Sequence, residues 1–205
     1  MLPTSLRLFA ALAATFSATL SGALSAAIVP ACAALLLRAA PAVADAPVLA
    51  DDVKVERTAD GFAVDVKMFA PVPPALAWAV LTDFERMAEF IPNLTHSQVL
   101  ARDNGNVRVR QKGTAHYGPF SHEFDSLREI HLLPPREIHA HGIGGNIKRM
   151  DSVMQLEAEN DGTRLRYHVE VVPDFWLPPL LGPSFIRHET AEQFSAMINE
   201  MLRRR

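Results

Sequence analysis

The stretch VLTDFERMAEFIPNL, residues 80–94, decides how this chain is read. It sets Asp83, Glu85, Arg86 and Glu89 among Phe84, Met87, Phe90 and Ile91, then stops at Pro92. Thr82 with Glu85 three residues on has the form of a capping box, so a short helix is expected from Thr82 to the residue before Pro92. On that helix Phe84, Met87, Phe90 and Ile91 gather on an inner side, while Asp83, Arg86 and Glu89 face outward, with Arg86 and Glu89 at ion-pair spacing. The acids read as a rim, Asp83 as a cap and Glu85 as the other half of the box. Carboxylate catalysis is disfavoured, because general acid–base work needs an acid held in a desolvated pocket.

Upstream, Pro71, Pro73 and Pro74 end a strand, and Pro74 suits the first turn of a helix over Ala75–Leu81. Before the prolines, Val53 and Val55, then Phe62, Val64, Val66 and Met68, alternate with polar residues about Asp60-Gly61, which predicts a β-hairpin. Downstream, strands are expected over 97–101, 107–115, 122–131, 136–142, 149–157 and 164–172. Their connections carry Asn104-Gly105, Pro134-Pro135, Gly142 to Asn146 and Asp161-Gly162. Short even links imply an antiparallel meander. After Pro183 the period changes: Ser184 can cap a helix in which Ile186, Ala191, Phe194, Met197, Ile198 and Met201 recur at three and four, with Glu189, Glu192 and Glu200 on other faces.

This order predicts an α+β domain: a curved antiparallel sheet wrapped around a long C-terminal helix, with two short helices after the first strands. The element order and three motifs carry a resemblance: VLTDFERMAEFIPNL, Val107-Arg108-Val109-Arg110-Gln111 and Pro173-Asp174-Phe175-Trp176-Leu177-Pro178-Pro179. The chain resembles the START-like (SRPBCC) helix-grip superfamily, and within it the bacterial polyketide cyclase/dehydrase and coenzyme Q-binding (COQ10-like) group. The resemblance covers nearly all of Val53 to Arg205 and implies a hydrophobic ligand cavity. It does not imply one reaction, since a fold hosts many functions.

The first residues differ from the rest. Arg7 precedes an uncharged run from Leu8 to Leu37, and Ala42-Val43-Ala44 closes the segment. That pattern predicts a signal peptide over 1–46 and a periplasmic location, and the resemblance implies a helix-grip domain over 47–205. An uncleaved anchor is the alternative, since the run is long enough to span a bilayer. Cys32 is the sole cysteine and lies in this segment, so the domain is expected to hold no disulfide and no thiolate chemistry. A net charge of −3 with scattered basic residues makes nucleic acid a poor partner.

The inner rows of the sheet supply Val109 and Gln111, then Met150, Ser152 and Met154, then Leu165, Tyr167 and Val169. This is an apolar lining with sparse hydrogen-bonding groups, as a lipid, quinone or polyketide-like ligand needs. The candidate ligand-binding residues are Phe84, Met87, Phe90, Val109, Gln111, Ser152, Met154, Tyr167, Phe175, Trp176, Met197 and Met201. The loop Phe175 to Leu181 is too apolar for an ordinary solvated connection and is expected to act as a lid or a transient membrane contact. His139 and His141 share a strand face at ligand-like spacing, yet no third ligand is evident and the face reads as solvated, so no metal is expected. No catalytic residue and no cofactor is expected. The leading expectation is a non-enzymatic binding or carrier protein for a hydrophobic small molecule or lipid. A cyclase/dehydratase-like enzyme using Gln111, Tyr167 or a histidine, and an interaction module with a vestigial cavity, are the alternatives.

Overall fold

The computed structural model describes residues 48–118, 120–175 and 181–205. The segment 1–46 and Trp176 lie outside them. β1 (Val53–Arg57) and β2 (Phe62–Ala70) form the hairpin, and α1 (Pro74–Leu81) follows with a proline in its first turn. A 3-10 turn, Phe84–Arg86, then runs into the short α2 (Met87–Phe90). The meander comprises β3 (Leu94–Asp103), β4 (Asn106–Tyr117), β5 (Phe120–Leu133), β6 (Glu137–Gly145), β7 (Ile147–Glu159) and β8 (Gly162–Pro173), and α3 (Gly182–Arg203) closes the chain. The strands outrun their expected ends. Residues Gly142 to Gly145, expected in a connection, belong to β6. Asn104 and Gly105 take positive φ angles of 44° and 84°, which a tight turn with the twist of the flanking strands requires.

All eight strands form one antiparallel sheet in the order β1-β2-β8-β7-β6-β5-β4-β3. Only β2 departs from sequential pairing: it joins β8, so the N-terminal hairpin extends the far edge of the meander. The sheet curves around α3 in a helix-grip fold, and Val64, Val66, Val109, Leu156 and Leu165 of its inner face share a core with Ala191, Phe194, Ile198 and Met201 of the helix. The outer face carries cross-strand ion pairs. Arg110 meets Asp125 at 2.7 Å and Arg108 meets Glu129 at 3.1 Å. Among the described residues no helix is long and apolar enough to cross a membrane.

Two helix ends differ from expectation. The capping box is not formed: Thr82 Oγ1 donates to Trp78 O at 2.8 Å, closing α1 rather than opening the next turn. Asp83 makes no cap bond and pairs with Arg204 at 2.8 Å, tying the corner to the last turn of α3, while Glu85 is exposed. Ser184 does not cap α3, which starts at Gly182 with Pro183 in its first turn. That start lets the chain turn directly into the helix, because the missing N–H of a first-turn proline would have had no partner.

Glu189 and Glu200, expected on outer faces of α3, are 7% and 5% exposed. Glu200 accepts from Arg203 Nε at 2.6 Å and from Arg204 Nε at 2.5 Å, and these bonds hold its carboxyl at about 2, below the ordinary 4.5. This interaction stabilises the fold above about pH 4.5 and is lost as the pH falls through about 2. After allowance for screening through exposed Arg203, the loss is expected to be about 2 kcal/mol. Urea unfolding between about pH 5 and about pH 2.5 measures it, and Glu200→Gln removes that part of the pH dependence.

Candidate ligand cavity

The helix does not seat flush along its whole length. Between α3, the inner face of β4–β8 and the helical corner lies a cavity of about 320 Å³. Leu81, Phe84, Met87 and Ile91 of the corner form one wall, Phe185, Ile186, Phe194 and Met197 of α3 another, and the sheet the third. The apolar side of the corner thus faces the space, and its acids stay on the rim. Arg86 Nη2 and Glu89 Oε2 pair there at 2.9 Å.

β5 contributes His122, Ser126 and Arg128 to the polar part of the lining. Strand period two sends His122, Phe124, Ser126, Arg128 and Ile130 inward, opposite to Asp125 and Glu129. Arg128 Nη2 donates to Gln111 Oε1. Gln111 Nε2 in turn donates to Ser97 Oγ at 3.0 Å and lies 3.2 Å from Met87 Sδ, and Ser97 Oγ donates to Phe84 O. A polar chain therefore links the guanidinium to the backbone of the corner. No carboxylate among the described residues pairs with Arg128, and its buried Nε lacks an acceptor. Burial pushes the guanidinium down from its ordinary value, with only the Tyr167 phenol opposing. Tyr167 bonds to Ser152, meets the Phe194 ring edge-on at 4.9 Å, and is pushed up by burial, so it stays a protonated donor. A cation without a carboxylate partner and a phenol thus face a space lined mainly by apolar side chains.

A second polar group lies where α3 begins. Glu189 accepts from Asn93 Nδ2 and from the His116 backbone N–H at 3.0 Å, and burial pushes its carboxyl up despite these bonds. The His122 ring stacks on Phe175 with centroids 3.5 Å apart; its buried Nε2 has no partner, and burial pushes the imidazole down toward the neutral form. His188, Glu189 and Glu192 each bring one ligand atom within 4.8 Å of the others, but both Glu189 oxygens are already engaged by protein donors.

Of the residues expected from sequence, Phe84, Met87, Gln111, Ser152, Met154, Tyr167, Phe175 and Met197 line the cavity. Three do not. Phe90 lies beneath the Arg204 guanidinium at 5.7 Å, held on the far side of the corner by the Asp83–Arg204 pair. Val109 and Met201 are fully buried in the core, because sharing a face with the lining does not create space where the helix packs tightly. Arg128, His122, Phe124 and Glu189 were missed. β5 is polar on both faces and Glu189 lies on a helix, so the period of neither element signalled them.

Residues 70–197 match the family model described as polyketide cyclase/dehydrase and lipid transport. In structure the chain is similar to the Zhui aromatase/cyclase from a Streptomyces species, with 18% identity and a TM-score of 0.60 over 69% of this chain and 94% of that one. It is also similar to a START superfamily protein from Mycobacterium smegmatis, with 12% identity and a TM-score of 0.60 over 70% and 99%. A STAR-related lipid transfer protein from Xanthomonas axonopodis matches at 12% identity with a TM-score of 0.58 over 74% and 99%. No curated protein matches the chain by sequence. At these identities the structural likeness establishes the fold. The family match over residues 70–197, in a domain whose eight-stranded sheet curves around its C-terminal helix, establishes that the chain belongs to the polyketide cyclase/dehydrase and lipid transport family.

Proposed function

We propose that this protein binds and carries an amphipathic hydrophobic ligand, a lipid, quinone or isoprenoid-like molecule, in the periplasm. The observation that supports this most is Arg128, a buried guanidinium without a carboxylate partner in a cavity lined mainly by apolar side chains. A buried cation of this kind is costly unless something pairs with it. A carboxylate or polarised carbonyl on a ligand supplies that partner, while the aliphatic or ring portion lies against Phe84, Met87, Met154 and Met197. The volume suits one chain or ring system rather than a bulky double-tailed lipid.

Location rests on the segment 1–46, with cleavage after Ala44 and transient membrane contact through the Phe175–Leu181 loop as further parts of the reading. Native mass spectrometry with lipid extraction, on protein isolated from its own host, tests the carrier. A co-purifying amphiphile is expected, and its absence from freshly isolated protein would sink the reading. N-terminal sequencing of the exported chain is expected to begin near Asp45 or Pro47. Retention of residues 1–44 in the membrane fraction would replace the soluble form with an anchored one.

A cyclase/dehydratase is the second reading, favoured by the facing Arg128–Gln111 and Tyr167–Ser152 pairs, which could polarise a carbonyl. Turnover of a polyketide probe, abolished by Tyr167→Phe with the fold intact, would decide for it.

A further inference from the structure

Strands β5, β6 and β8 carry four histidines on the face of the sheet opposite the cavity that the proposed function does not use. The strand register aligns them. Across the sheet, His131 of β5 stands opposite His139 of β6, and beyond Val153 of β7 comes His168 of β8. In the adjacent row, Glu129 of β5, His141 of β6, Asp151 of β7 and Glu170 of β8 are likewise opposite one another. These residues line a shallow concavity of about 430 Å³.

His131, His139 and His141 form a triangle of like-facing side chains. Directly opposed residues have Cβ atoms about 4.5–5.5 Å apart, and diagonal neighbours about 7–8 Å. That spacing lets three imidazoles converge on one ion at metal–nitrogen distances of about 2.0–2.1 Å. Each ring is also anchored by one nitrogen. His141 Nδ1 lies 2.5 Å from Asp151 Oδ1 and His131 Nδ1 lies 2.9 Å from Asn106 Oδ1, which leaves Nε2 as the free ligand atom in both. His139 is held the other way round, Nε2 against Glu137 Oε2 at 2.7 Å, leaving Nδ1. An oxygen acceptor on the non-ligating nitrogen is the outer-shell arrangement that orients metal-binding histidines and raises their basicity. The three free nitrogens do not converge as the rings now stand; surface side chains reorient within nanoseconds, so convergence moves each ring together with its acceptor side chain and leaves the backbone in place.

We infer that His131, His139 and His141 form a binding site for a divalent transition cation that favours imidazole, with Asp151, Asn106 and Glu137 as outer-shell partners. Imidazole sets of this kind suit zinc, copper or nickel rather than magnesium or calcium. Glu129 and Asp151, which flank His141, offset the charge of the ion. His168 is excluded from the triangle by Val153 and by its own pair with Asp65 at 2.8 Å.

Titration of the tag-free chain with Zn²⁺ in a calorimeter, with circular dichroism on every variant, tests the site. Saturable binding of one ion per chain is expected. His139→Ala and His141→Ala are each expected to weaken it at least about tenfold, and Asp151→Asn by a smaller factor. His168→Ala and His188→Ala should leave it unchanged. His139 is half-buried and the other replaced residues are exposed, so the fold is expected to survive these changes. Absence of saturable binding, wild-type affinity in both His139→Ala and His141→Ala, or loss confined to His188→Ala would each overturn the inference.

Discussion

Arg128→Met is expected to leave the unliganded protein as stable as before, or more so, while removing most of its affinity for a ligand with an acidic or carbonyl head. Replacing a buried charge with an apolar side chain of similar volume is often neutral or stabilising by about 1–4 kcal/mol. Against that stands Gln111 Oε1, which loses its donor from Arg128 at a cost of about 1–3 kcal/mol. The two effects nearly offset each other. Binding has no such compensation, because the head group would then be desolvated without a cation. Loss of one partner from a buried charged pair costs about 2–5 kcal/mol, or roughly 30-fold to several thousand-fold in affinity. Thermal unfolding together with binding of a fatty acid and the fatty alcohol of equal chain length separates the cases. Selective loss of the acid supports head-group recognition. Equal loss of both ligands, with a large drop in stability, would mean that Arg128 only holds Gln111 and the corner in place.

The second large effect is expected at Gly113. This residue pairs with Leu94 where β3 joins β4, and the register shifts immediately beyond it. A Cβ at Gly113 would collide with the backbone oxygen of Asn93 and come within 2.6 Å of Phe124 Cζ. Phe124 can turn aside, but Asn93 O cannot, because it accepts from Thr114 N at 2.9 Å. Gly113→Ala should therefore cost about 3 kcal/mol, at the upper end of what overpacking does. The damage extends to the cavity: displacing Asn93 withdraws its side chain from Glu189 and leaves a buried carboxyl with one donor fewer. Denaturant unfolding and lipid content of the same preparation should both fall. A loss below about 1 kcal/mol would mean that the strand junction shifts to accommodate the methyl group.

Much of the architecture follows from local pattern alone. Alternation in Val53–Met68 fixes a hairpin, because period two places every second side chain on one face. The three-and-four spacing of Ala191, Phe194, Ile198 and Met201 fixes a helix with one buried face. The corner was legible too, since Phe84 and Met87 turn inward together while Arg86 and Glu89 pair outside.

What only the tertiary structure decided falls into three kinds. β5 is polar on both faces, so its alternation does not reveal that Arg128 and His122 point inward; its pairing with β4 through Val107↔Ile130 and Val109↔Arg128 does. Period also cannot separate lining from core: Gln111 and Val109 share a face, yet one meets free volume and the other is sealed. Finally, His131 lies eight residues before His139 in the chain and directly opposite it in space, a proximity set by hairpin register. Sequence period determines the side of an element on which a residue lies. Free volume and convergent ligands depend on how far apart separate elements are held, and that distance is a property of the packed molecule.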